Sequence, residues 1–226
     1  MQTILIHGIG DNQANFAERW QTAALLNLPE RSVVSFYYED LMDETSANVL
    51  MQLLVKAAEV FFRVPLQTAG ILIPEYVGDV VAFLFDARLR EAIATRLRIQ
   101  LEPLAKDDQL LVIGHSQGAL VAVWLLLTQP WLLQGRTITL ATLGCPLGSP
   151  VQGMATLLKK LFPVKKPLGR PNIARWINVH SKLDPLSGEI RGLGCDTQVQ
   201  AMMHQGVFHR SIQGYLKLLA GALQAE

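Results

Sequence analysis

The sequence predicts an α/β fold, a mostly parallel twisted sheet of five to six strands with helices on both faces. Three observations point to it. Short apolar or β-branched runs alternate with longer segments of helical period. Several of those runs end directly in glycine turns, which gathers small and polar residues at one edge of the sheet. One stretch, residues 109–127, passes from a buried strand through Gly114-His115-Ser116-Gln117-Gly118 into a buried helix with no room for a loop. Ligands of such sheets bind beyond the carboxyl ends of the strands, where these turns converge.

A chain of 226 residues is long enough for one large domain, residues 1–226, with a full core. Half of the residues are hydrophobic and 17% are charged, so a lipid-facing pocket or peripheral membrane contact fits the composition. The formal net charge of +1 gives no global argument for nucleic acid. No uncharged apolar run reaches the roughly 18 residues of a membrane span. Met1-Gln-Thr-Ile-Leu-Ile-His7 lacks a basic region and a long apolar stretch, and so reads as a strand rather than a signal peptide. Cys145 and Cys195 fit a reducing compartment and offer no metal-ligand cluster, which makes a cytoplasmic location the expectation.

Residues 3–6 are the first expected strand, running directly into His7-Gly8-Ile9-Gly10. Residues 14–26 carry Phe16, Trp20, Ala23 and Ala24 on one side of a helix. Residues 33–37 read as the second strand, and Glu39-Asp40-Leu41-Met42-Asp43-Glu44 after it is acidic and polar. A long excursion follows, residues 45–105. Within 48–63 the polar residues Asn48, Gln52, Lys56, Glu59 and Arg63 form one narrow stripe on an otherwise apolar helix. Core packing is the favoured use of that broad apolar face, ahead of a lipid-like ligand or a membrane surface. Pro65 and Pro74 break the pattern, with Gly70 between them, and residues 76–85 are apolar again around Gly78 and Asp79. Residues 88–104 form a charged helix whose apolar face is Leu89, Ile93, Leu97, Gln100 or Leu101, and Leu104. This helix is expected as scaffold on the sheet, and residues 45–85 as a candidate helical cap.

The G-x-S-x-G turn is the best-defined feature. A sharp strand-to-helix turn holds a serine in a strained conformation and lifts its hydroxyl above the sheet edge. Residues two before and two after it must lack bulk, and both are glycine. The helix behind the serine points free N–H groups and a partial positive charge at the same place. The glycines around Ile9 likewise let backbone N–H groups approach a ligand, so the N–H groups of Ile9 and Gln117 are read together as an oxyanion hole.

Beyond the turn, Pro130 stops the helix, and residues 137–143 form a fourth strand ending in Gly144-Cys145-Pro146-Leu147-Gly148. The chain is then loop-rich to Arg175, with a helix plausible over residues 151–161. It is basic through Lys159, Lys160, Lys165, Lys166, Arg170 and Arg175. A solvated loop is the favoured reading of that charge, ahead of an anionic lipid or phosphate site. Residues 176–179 are the fifth strand, followed by Asp184-Pro185, and residues 197–202 are a candidate sixth. His204, His209 and a closing helix over 211–223 complete the chain.

A lone serine hydroxyl is a poor nucleophile and needs a base, which in turn needs an orienting acid. Here the sequence resembles the α/β-hydrolase superfamily, and most of all its small lipase- or esterase-like members. The superfamily's chain order is serine, then Asp or Glu, then histidine. Ser116, Asp184 and His209 follow it, and a W-x-N…D-P stretch that commonly carries the acid is matched by Trp176, Asn178, Asp184 and Pro185. Two departures stand out: residues 45–85 match nothing specific, and the superfamily's first two strands are missing, which implies a trimmed sheet. Asp184 is preferred to Asp196 because it follows an expected parallel strand, whereas Asp107 and Asp108 lie at the wrong edge. His209 is preferred to His204 because it adjoins the closing helix, while His7 and His115 belong to turns and His180 lies too near the end of its strand. The resemblance implies a serine hydrolase cleaving carboxylic esters through an acyl-enzyme, acting on a small or lipid-like ester without metal or other cofactor. The alternatives are an acyltransferase or thioesterase on the same site, or a non-catalytic lipid- or protein-binding descendant of the fold.

Overall fold

The computed structural model describes residues 2–8, 33–45, 73–103, 109–129, 135–149, 173–181, 184, 187–191, 195–201 and 212–224. Six strands, β1 (Gln2–Ile6), β2 (Val33–Phe36), β3 (Gln109–His115), β4 (Thr137–Leu143), β5 (Ile173–Ser181) and β6 (Thr197–Ala201), form one sheet. Its order is β2-β1-β3-β4-β5-β6, and every neighbouring pair is parallel. The described helices are α1 (Glu39–Thr45), α2 (Ile73–Phe85), α3 (Ala87–Leu101), α4 (Gln117–Thr128) and α5 (Ile212–Gln224). None of them is long and apolar enough to cross a membrane.

The strands are apolar on both sides because both faces of the sheet are covered. Ile4, Ile6, Leu110, Val112, Ile138, Leu140 and Trp176 point into one layer, together with α2, α3 and α4. Leu5, Leu111, Ile113, Ala141, Leu143, Ile177 and Val179 point into the other, where Tyr215, Leu216 and Leu219 of α5 pack on them. This is the period-two alternation of strands, turned to two cores rather than to core and solvent. Helix α4 lies in the middle of the first layer, and every residue from Gln117 to Leu127 is buried.

Local chemistry sets the helix ends. Asp86 caps α3 by accepting from the Arg88 and Leu89 N–H groups at 2.7 and 3.1 Å. Arg90 reaches back to the Phe83 and Leu84 carbonyls at the end of α2, Arg136 to that of Leu101, and Arg175 to that of Ala222. Each guanidinium satisfies carbonyls that a helix end leaves unpaired. Arg175, expected in a basic loop, is therefore part of β5 and tied to α5.

Two further findings concern the chain between β2 and β3. The acidic stretch after β2 is helix α1, with Glu39 and Asp40 in its first turn, where the helix dipole favours negative charge. Arg96 of α3 forms a two-pronged ion pair with Asp40 that holds this carboxyl below its ordinary range, chiefly through the hydrogen bonds. Residues Val80 to Leu84, near the end of the segment expected as a cap, are buried in the main core, and Phe83 meets Trp124 of α4 edge-on at 5.9 Å. The expected helices over 14–26, 48–63 and 151–161 lie outside the described residues.

Candidate functional site

The strand order reverses direction between β1 and β3: from β1 the chain goes to β2 on one side, then returns to β3 on the other. A crevice opens at the carboxyl ends of strands flanking such a switch point. His7-Gly8 leaves β1 there, and Ser116 leaves β3 there, with Ile6 and Gly114 in register.

Ser116 joins β3 to α4 with φ 53° and ψ −119°. Among the described residues it is the one non-glycine at positive φ. A serine that merely capped its helix would sit in the extended region and accept a hydrogen bond from the first turn. Ser116 does neither, since its side chain makes no cap hydrogen bond. Its backbone is instead fixed at both ends, by its N–H donating to Leu143 at 2.9 Å and its carbonyl accepting from Ala119 at 3.1 Å. The strained turn is thus held by β4 on one side and by α4 on the other.

The flanking glycines are required by close approach. A Cβ at Gly114 would lie 2.6 Å from the Gly118 carbonyl oxygen, and one at Gly118 would lie 2.2 Å from that of His7. Gly8 faces the serine itself: a Cβ there would meet Ser116 Cβ at 2.7 Å. Gln117 opens α4, so its N–H is among the first four that the helix itself leaves unpaired. Its side chain is buried too, and Nε2 has no hydrogen-bond partner among the described residues.

His7 secures the other turn. Its Nε2 accepts from the Tyr38 N–H at 3.3 Å, which leaves the proton on Nδ1, donated to the Gly8 carbonyl at 2.9 Å. Glu39 lies 3.6 Å from the same nitrogen, and the Tyr38 hydroxyl donates to the His7 carbonyl at 3.0 Å. Stacked against Tyr38 and Tyr37, the ring is a buried brace for the turn. Burial first, then the charges of Glu39 and Asp79, push the Tyr38 phenol well above its ordinary range.

Asp184 is also buried, at the same edge, in a turn after β5 closed by Asp184 N–H to Ser181 and Ser187 N–H to Asp184. Its Oδ2 accepts from the Tyr215 hydroxyl of α5 at 3.1 Å. Gly144 lies between this carboxylate and His115, at φ 60°, where the backbone favours glycine; a Cβ there would be in ordinary contact, 3.4 Å from Asp184 Oδ2 and 3.8 Å from His115 Cδ2. The carboxylate therefore sits across Gly144 from the residue that precedes Ser116.

The W-x-N pattern explains how that acid loop is held. Trp176 Nε1 donates to Thr142 Oγ1, whose hydroxyl donates to Asn178 Oδ1. Asn178 Nδ2 donates to the Gly188 carbonyl and to Gln198 Oε1, while Gln198 donates to the Ile190 carbonyl. Loop residues 188–190 are thus moored to β4, β5 and β6. Asp196, the competing acid, has a different place: it accepts from the Trp176 N–H at 2.7 Å just before β6 begins, at the amino edge of the sheet. His180 lies within β5 in register with Gln200. Ile9, His204 and His209, and the acids Asp107 and Asp108, lie outside the described residues. Among the described residues no group of three or more His, Cys, Asp or Glu side chains could hold a metal ion.

Fold and edge together define an open parallel α/β protein with a strained serine at its switch point and a buried carboxylate at the same edge of the sheet. The chain matches no protein-family model, no curated protein and no solved structure.

Proposed function

We propose that the chain is a serine hydrolase of the α/β-hydrolase type, cleaving carboxylic esters through an acyl-enzyme. The observation that carries this reading is the backbone of Ser116, positive in φ, flanked by glycines, and with a hydroxyl that does not cap its helix. Backbone strain of this kind costs about 1–3 kcal/mol and persists where the surroundings enforce it, most often at working sites.

In the proposed reaction His209, oriented by Asp184, takes the Ser116 proton as the hydroxyl attacks the ester carbonyl. The N–H groups of Ile9 and Gln117 receive the developing oxyanion. His209 then protonates the leaving alcohol, and water releases the acid by the same steps in reverse order of roles. The apolar composition of the chain favours a substrate with an acyl chain.

Fluorophosphonate labelling, with the modified peptide identified by mass spectrometry, tests the reading. Wild-type protein is expected to be labelled at Ser116, and both Ser116→Ala and His209→Ala to lose the label. A folded wild type that stays unlabelled with and without detergent would overturn it in favour of a non-catalytic binding protein.

A further inference from the structure

We propose that Tyr215 is the positioning residue of the catalytic acid, holding Asp184 through its hydroxyl. The proposal rests on the hydrolase reading above. The Tyr215 hydroxyl and Asp184 Oδ2 are 3.1 Å apart, and both residues are buried. The turn that carries Asp184 is itself fixed: the Asp184 N–H donates to the Ser181 carbonyl, the Ser187 N–H to the Asp184 carbonyl, and Ser187 Oγ accepts from the Ser181 N–H at 3.3 Å. A hydroxyl from α5 and a closed turn from β5 thus meet at one buried carboxylate.

The arrangement has a chemical consequence. A tyrosine that donates to Asp184 holds the ionised acid more strongly than the protonated one. It also comes from α5, whose Leu216 and Leu219 are buried in the core, so a firmly packed helix carries the hydroxyl to the acid.

Tyr215→Phe removes that hydroxyl and keeps the ring. Labelling of Ser116 is expected to slow about 10- to 100-fold, the effect of losing a hydrogen bond to a charged group. The acid limb of its pH profile is expected to move up by about one pH unit, because the carboxylate loses its donor. The groups facing Asp184 in this profile are Tyr215 from α5, Ser187 from its own loop, His115 across Gly144, and the proposed base His209. In an Asp184→Asn background the Tyr215→Phe effect is expected to vanish, since the tyrosine acts through the acid. Tyr215→Met, which also lacks the hydroxyl but fills less space, is expected to change rate and profile in the same direction and serves if Tyr215→Phe does not fold. A wild-type rate and profile in Tyr215→Phe, or an undiminished effect in the Asp184→Asn background, would overturn the proposal alone. An unlabelled wild type would overturn the hydrolase reading and this proposal with it.

Discussion

Gly8 and Ser116 come from strands more than a hundred residues apart in the chain, yet a methyl group on Gly8 would stand 2.7 Å from the serine Cβ. It would also stand 2.9 Å from the His115 carbonyl oxygen, so neither neighbour can give way without moving the turn. The end of β1 and the end of β3 are built to touch at this one point. Whatever approaches Ser116 from this side meets bare backbone.

Gly8→Ala should therefore damage function more than folding. The added Cβ must push Ser116 or its own turn aside, and misplacement by about 1 Å near reacting atoms is worth roughly 10²-fold in rate. Gly118→Ala makes the contrast, because its Cβ would lie 2.2 and 2.4 Å from two carbonyls of β1 and its turn that cannot rotate away. Overpacking of that kind costs about 1–3 kcal/mol or more. Thermal unfolding and labelling kinetics measured side by side separate the two. Equal loss of stability in both variants would contradict the assignment of Gly8 to the site.

The strain at Ser116 has a thermodynamic signature. Glycine adopts positive φ without penalty, whereas alanine keeps the cost. Ser116→Gly is expected to unfold about 2–4 °C above Ser116→Ala, the shift that roughly 1 kcal/mol gives in a chain of this size. Both variants lack the hydroxyl, so the difference reports the backbone alone. Melting temperatures that coincide would mean that the turn is relaxed.

Much of this site is legible in the sequence, because its backbone demands are met by residue types. Gly114, Gly118 and Gly8 stand where any Cβ would collide, and the strand over residues 137–143 is found with the bounds expected of it. Asp184 falls in the loop after a parallel strand, as its position implies. What is not legible depends on partners distant in sequence. Strand β5 extends beyond the four residues expected, because charged Arg175 before them and polar His180 and Ser181 after them break the apolar pattern, although His180 and Ser181 are buried. Helix α1 hides in an acidic run, since its anchor, Arg96, lies 56 residues on. Tyr215 reads as packing, because nothing near it in the chain announces a carboxylate 31 residues upstream.

Asn178 allows a direct test of the acid loop's mooring. Its amide accepts from Thr142 and donates to Gly188 and Gln198. Asn178→Asp keeps the shape but turns both donations into repulsion between acceptors. Leaving such buried groups unsatisfied costs about 1–3 kcal/mol each, more for a charge. A loss of about 2–4 kcal/mol at pH 7 is expected by urea unfolding. Burial raises the introduced carboxyl above the usual range for aspartate, so part of the loss should be regained on acidification, as the protonated side chain can donate once more. A deficit that does not change with pH would place the damage elsewhere.

Alkali should loosen the same edge from beneath. The phenols of Tyr38 and Tyr215 are both raised above their ordinary value near 10, burial being the larger cause in each, followed by Glu39 for Tyr38 and by Asp184 for Tyr215. The sign follows from linkage. Above the unfolded value the unfolded chain releases phenolic protons that the folded chain keeps, so the stability they contribute is whole below about pH 10 and falls as pH rises toward the folded values. Tyr38→Phe deletes one of these groups together with its hydrogen bond to the His7 carbonyl. Near pH 8 the variant should be about 1 kcal/mol less stable than wild type, the ordinary net worth of a hydrogen bond. At about pH 11 the gap should narrow or reverse, because wild type must then keep a phenol protonated that the variant lacks. Urea unfolding at the two pH values reads both effects. A gap that stays constant would show that Tyr38 does not resist ionisation in the fold, and that the brace of the His7-Gly8 turn is open to solvent.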